Sequence, residues 1–97
     1  MKDLKIIRKN IVANEANKFE FDVEGFEFVV KNFGDGDIYV AFENTTDTDE
    51  MIKIPAMSGQ VCIRNKSTGS TGSGNSSKDV YVYGTSAGEV EIQCLKF

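Results

Sequence analysis

Apolar and polar residues alternate in twos along most of this chain. Phe19, Phe21 and Val23 interleave with Glu20, Asp22 and Glu24, and after Gly25 the residues Phe26, Phe28 and Val30 interleave with Glu27, Val29 and Lys31. A period of two places successive side chains on opposite faces of a strand, one face toward a core and the other toward water. The Val-Glu-Gly-Phe junction at Gly25 predicts the tip of a hairpin joining two such strands. Phe33-Gly34-Asp35-Gly36-Asp37 is a turn signal, and Ile38 to Phe42 is the next strand, with Ile38, Val40 and Phe42 on one face and Tyr39 and Ala41 on the other.

The same alternation continues through the second half. A polar loop from Asn44 to Glu50 precedes a short strand, Met51 to Ile54, which Pro55 ends because proline offers no amide hydrogen to a ladder. Gln60 to Asn65 predicts a strand with Val61 and Ile63 on one side and Cys62 and Arg64 on the other. Residues 66–78 contain no apolar side chain. Such a Ser/Gly/Thr stretch gains nothing from burial to offset the entropy of ordering, so a flexible loop is expected there. Asp79 to Tyr83 and Glu89 to Phe97 are the last two strands, separated by a turn through Gly84 and Gly88. Leu4 to Val12 fits a strand, with a loop or one helical turn after it. No segment of helical period is long enough for a substantial helix. Seven or eight strands at this spacing predict an all-β protein, a single antiparallel β-sandwich of jelly-roll type spanning 1–97.

Length and charge narrow the function classes. Ninety-seven residues hold one hydrophobic core. The net charge of −4 makes the protein acidic and opposes binding to phosphate backbones, so nucleic acid is not an expected partner. The one basic cluster, Lys2, Lys5, Arg8 and Lys9, reads as the solvated side of the first strand. The apolar runs are too short to cross a membrane and no secretion signal is visible, so a cytoplasmic site of synthesis is expected. Cys62 and Cys94 each lie in an alternating apolar run; two reduced buried thiols are expected, and a disulfide between neighbouring strands is the other arrangement the residues allow.

Catalytic chemistry finds little support. The chain has no histidine, and Glu20, Asp22 and Glu24 share a strand face where mutual repulsion favours solvent. The glycines from Gly69 to Gly74 lack the Gly-Lys-Ser/Thr ending and following helix of a phosphate-binding loop. A non-enzymatic protein without cofactor or resident metal is therefore expected. Asp35 and Asp37, and Asp47, Asp49 and Glu50, offer oxygen ligands of the kind calcium uses; turn hydrogen bonding is the expected role of both groups.

Recognition chemistry rests with Tyr39, Tyr81 and Tyr83. If Val80 and Val82 face the core, two tyrosines stand together on the outside; the opposite arrangement is equally compatible with a sheet. Paired tyrosines suit a protein interface or sugar stacking.

The stretch from Val30 to Val40, with its Lys31-Asn32-Phe33 and Asp37-Ile38-Tyr39-Val40, resembles a pattern in small structural proteins of tailed bacteriophages. The ending Val80-Tyr81-Val82-Tyr83-Gly84-Thr85, followed by Ala87 to Gln93, is similar to the end of such proteins. These likenesses span about two thirds of the chain and consist of strand-forming residues; no catalytic residue comes with them. The long Ser/Gly/Thr loop departs from the pattern. The resemblance implies a virion or prophage component, a head-decoration or head-fibre-like assembly module, homo-oligomeric or bound to capsid or other virion proteins. A small carbohydrate-binding β-sandwich is the alternative the residues allow.

Overall fold

The computed structural model describes residues 5–63 and 77–96. Eight strands form in chain order: β1 (Lys5–Ile11), β2 (Asn17–Gly25), β3 (Glu27–Asn32), β4 (Ile38–Ala41), β5 (Ile52–Ile54), β6 (Ser58–Ile63), β7 (Ser77–Gly84) and β8 (Gly88–Lys96). One turn of 3-10 helix, Thr48–Glu50, lies within the expected polar loop. Among the described residues no helix is long and apolar enough to cross a membrane.

Two four-stranded antiparallel sheets pack face to face, in the orders β1-β8-β3-β6 and β2-β7-β4-β5. That pairing is the jelly roll: strands far apart in sequence lie side by side, and successive strands alternate between sheets. Among the described residues, β4 and β5 are the one consecutive pair of strands that forms a hairpin. The molecule is a slab 36 × 34 × 18 Å, the thin dimension being what two stacked sheets require.

The expected hairpin at Gly25 does not form. β2 belongs to one sheet and β3 to the other, so the chain crosses the sandwich there. The reason lies in the aromatic residues on both sides of the turn. As neighbours in one sheet, Phe21 and Phe28 would line the same face; placed in opposite sheets, they meet across the core with ring centroids 5.4 Å apart. Phe26, expected inside with Phe28 and Val30, sits at this crossing and is 42% exposed. Gly25 is buried there, and a side chain at this position would run into Cys94 and Phe28.

The inner face of the first sheet contributes Ile11, Phe28, Val30, Cys62, Val90, Ile92 and Cys94 to the core, and the second contributes Phe19, Phe21, Ile38, Val40, Ile54, Val80 and Val82. Each fully buried Phe, Ile or Val contributes about 1.5–3 kcal/mol, so these pairs of facing rows account for much of the drive to fold. The expected alternation of β4, with Ile38 and Val40 inward, holds. In β6 the core takes Cys62 and leaves Val61 48% exposed.

Both cysteines are buried and neither forms a disulfide. Each is paired in register with Phe28, Cys62 from β6 and Cys94 from β8, so a whole strand separates them. Two strand spacings come to about 10 Å, beyond the reach of a disulfide. The cross-strand bridge is therefore excluded by register.

Asn32, at the end of β3, is the more deeply buried of the two buried polar residues among those described, at 2% exposure. Its side-chain amide donates to the carbonyls of Gly36, Ile54 and Pro55, and its oxygen accepts from the Gly34 N–H. One side chain thus ties the β3–β4 turn to the β5–β6 turn and satisfies backbone groups that burial would otherwise penalise. Of the expected flexible loop at 66–78, Ser77 and Lys78 belong to β7; the remainder lies outside the described residues, as do Lys2 and Arg64.

Candidate interaction face

The choice that the residues left open at β7 falls to the valines. Val80 and Val82 are fully buried, which turns Tyr81 and Tyr83 to the outer face of the second sheet. Tyr39 on β4 shares that face, directly opposite Tyr83. Cross-strand partners place their Cβ atoms about 5 Å apart, and Tyr81 is one pleat repeat along from Tyr83. All three tyrosines of the chain are therefore brought onto one surface, each half-buried.

The neighbours of the tyrosines follow from the register. Tyr81 lies between Lys18 of β2 and Ala41 of β4, while Tyr39 lies between Tyr83 and Lys53 of β5. Ala41 is the small residue of its row and is itself buried, at 7% exposure. Charges bound the patch at both ends. Lys18 approaches Glu20 and Asp79 at 3.8 Å each, and Lys53 approaches Asp37 at 3.5 Å. These are exposed pairs and contribute little to stability, on the order of 0–1 kcal/mol. Their consequence is local: the cations are held by carboxylates at the border, and the centre is tyrosine.

The outer face of the first sheet has a different character, which the sequence did not reveal. Glu91 points outward from β8 yet is only 8% exposed. Gln93 donates to it at 2.9 Å, Lys31 of β3 lies 3.6 Å away, and Arg8 of β1 lies 3.3 Å away. The Gln93 hydrogen bond, followed by the charges of Lys31 and Arg8, holds the Glu91 carboxyl below its ordinary range against the opposing effect of burial. Residues eighty-three apart in sequence meet because β1 and β8 are neighbours. No local spacing signals such a meeting.

The expected basic cluster is dispersed by the same alternation. Arg8 faces outward to Glu91, whereas Lys9 turns to the inner side, where its ammonium sits 4.6 Å from the centre of the Phe19 ring and donates to the Lys18 carbonyl. Of the carboxylates considered as calcium ligands, Asp37 and Asp47 serve the backbone, and Asp37 also an ion pair. Asp37 accepts from the Ala56 N–H and faces Lys53, and Asp47 caps the 3-10 turn by accepting from the Asp49 N–H. Among the described residues no three His, Cys, Asp or Glu side chains converge as a metal site would need. Comparison with protein-family models, with curated proteins and with solved structures finds no match for this chain, so the surface chemistry itself has to carry the functional reading.

Proposed function

We propose that this chain is a non-enzymatic assembly module of a phage or prophage particle, and that it binds a virion protein through the Tyr39–Tyr81–Tyr83 face. The observation that carries this reading is the convergence of all three tyrosines on one outer sheet face. Tyrosine supplies large contact area with little side-chain entropy to lose, and it is enriched where proteins meet. The ion-paired border of Lys18, Asp79, Lys53 and Asp37 resembles the polar rim of an interface around its aromatic centre. The likeness of the β3–β4 and β7–β8 segments to phage structural proteins supports the virion context, as does the use of jelly rolls in capsid proteins, which is an analogy of fold.

The test is binding to assembled particles of the coat protein encoded nearest to this chain. Co-sedimentation of the wild type is expected, with loss of at least about tenfold in affinity for a Tyr81→Ser, Tyr83→Ser double variant whose melting temperature stays near that of the wild type. Failure of the wild type to bind any virion protein, or full binding by the double variant, overturns the proposal. A second reading follows from the direct Tyr39–Tyr83 pairing, which sets two aromatic side chains next to each other on the outer face with Lys53 beside them, a composition suited to stacking on a sugar. Glycan-array hits that vanish in Tyr39→Ala would favour that reading; an empty array would end it.

A further inference from the structure

Each sheet has two edge strands, and an exposed edge invites pairing with another chain unless something blunts it. Three of the four edges are blunted. β1 carries Lys5, Arg8 and Lys9, with Lys9 pointing to the inner side. β2 has a register irregularity between Glu20 and Gly25 and carries four charged residues between Lys18 and Glu24. β5 is three residues long, has Lys53 at its centre and is followed by Pro55. Among the described residues, β6 has none of these devices. Its six residues, Ser-Gly-Gln-Val-Cys-Ile, carry no charge, and its pairing with β3 runs unbroken from Glu27–Ile63 to Asn32–Ser58.

The outer surface beside β6 is shaped to match. Val61 projects from it, 48% exposed. Two residues away on the same face, Gly59 has no side chain, and a depression of about 280 Å³ opens there, lined by Lys31, Asn32, Phe33, Met57, Ser58 and Gly59. Phe33 and Met57 on its rim are 44% and 73% exposed, the latter held outward by a left-handed backbone at φ 58°. One strand thus bears both an apolar knob and an apolar hole, on one face and two residues apart.

We infer that β6 pairs antiparallel with β6 of a second copy of this chain about a two-fold axis at Gln60, joining the two β1-β8-β3-β6 sheets into one. In that register Gly59 of each copy faces Val61 of the other, so each valine enters the opposite depression, and the contact is closed and self-complementary as a two-fold interface must be. A copy is favoured over an unrelated strand because the knob and the hole occur together in the same strand, in the spacing that a two-fold axis between them converts into mutual contact. The absence of charge on β6 removes the like-charge repulsion that an acidic chain meets when it pairs with itself. The two Gln60 side chains meet beside the axis, where their amides can bond to each other.

The test is sedimentation equilibrium of the full chain over a wide concentration range. The wild type is expected to approach twice the 10.7 kDa of one chain. Val61→Lys places a charge on the edge at a half-exposed position; it is expected to weaken dimerisation at least about tenfold while leaving the circular dichroism spectrum unchanged. Gln60→Cys fixes the register: mild oxidation is expected to join two chains through that cysteine, since Cys62 and Cys94 are buried, and adding Val61→Lys is expected to abolish the link. A wild type that stays monomeric at the highest concentration overturns the proposal and leaves the edge to a strand of another protein. So does a dimer indifferent to Val61→Lys, a dimer disrupted by Tyr81→Ser and Tyr83→Ser instead, or a dimer that Gln60→Cys does not cross-link.

Discussion

Gly25→Ala tests the crossing that distinguishes this fold from a simple run of hairpins. The backbone at Gly25 lies outside the left-handed region, so alanine meets no conformational penalty there. On that count alone the substitution would stabilise, by about 0.4–1 kcal/mol, because the unfolded chain loses freedom. Sterics act the other way. The new Cβ would run into the Cys94 Sγ and stand 2.9 Å from Cζ of Phe28. Both residues are fully buried, so neither has solvent to retreat into. Overpacking of this kind costs about 1–3 kcal/mol. The clash therefore wins, with net destabilisation of roughly 1–2 kcal/mol, or a melting temperature lower by about 4–16 °C for a domain of this size. Adding Cys94→Ala removes the first obstacle. That change alone costs about 1 kcal/mol for the lost sulfur, yet in the double variant the penalties should not add. The coupling should favour the double variant by about 1 kcal/mol, short of full rescue because the Phe28 ring remains. Thermal denaturation of the wild type, the single variants and the double variant, followed by circular dichroism, measures it. Strict additivity, or a Gly25→Ala protein as stable as the wild type, would refute the packing described for the crossing.

Asn32→Ala should cost about 2–3 kcal/mol in urea denaturation, because it strips partners from buried backbone groups in two turns at once; a loss under about 0.5 kcal/mol would contradict that role. Glu91 has a folded-state pKa below its unfolded value, so its contribution to stability is fully present above the ordinary carboxylate range and is lost as pH falls through the folded value. Glu91→Gln should accordingly flatten the acid side of a stability–pH curve, and an unchanged acid limb would count against the Arg8–Glu91–Lys31 cluster. Burial pushes the Cys62 thiol up to about 11, so it stays protonated at mildly alkaline pH. A thiol reagent should leave Cys62 and Cys94 untouched in the native protein and label both in denaturant, with no change of intact mass on reduction; prompt native labelling would contradict their burial.

The tyrosine face was half legible before folding is considered. That Tyr81 and Tyr83 share a face follows from strand geometry, as does the separation of Tyr39 from Ile38 and Val40. Which face meets the core does not follow, because valine and tyrosine both pack well on a sheet. The bulk already in the core decides it: Phe19 stands beside Val80 on the neighbouring strand and Phe28 comes from the facing sheet, so the smaller valines complete the layer rather than further large rings. The Glu91 cluster and the Gly59–Val61 edge were not legible at all. Each depends on which strands are neighbours or on which strand ends a sheet.

Alternation in twos, the Gly/Asp turn at Phe33–Asp37 and the proline after Ile54 determined by themselves that this chain is all-β, and they located its strands to within a few residues. Local backbone chemistry suffices for that, since the pleat sorts side chains whatever the neighbouring strand turns out to be. Pairing belongs to the tertiary structure. Phe19 and Phe21 can be sheltered beside Phe28 in a hairpin or opposite it across a sandwich, and the period is identical in both cases. Only the closing of two sheets over one core made the second arrangement the better burial, and with it came the neighbours of each strand, the separation of the cysteines and the assembly of three distant tyrosines on one surface.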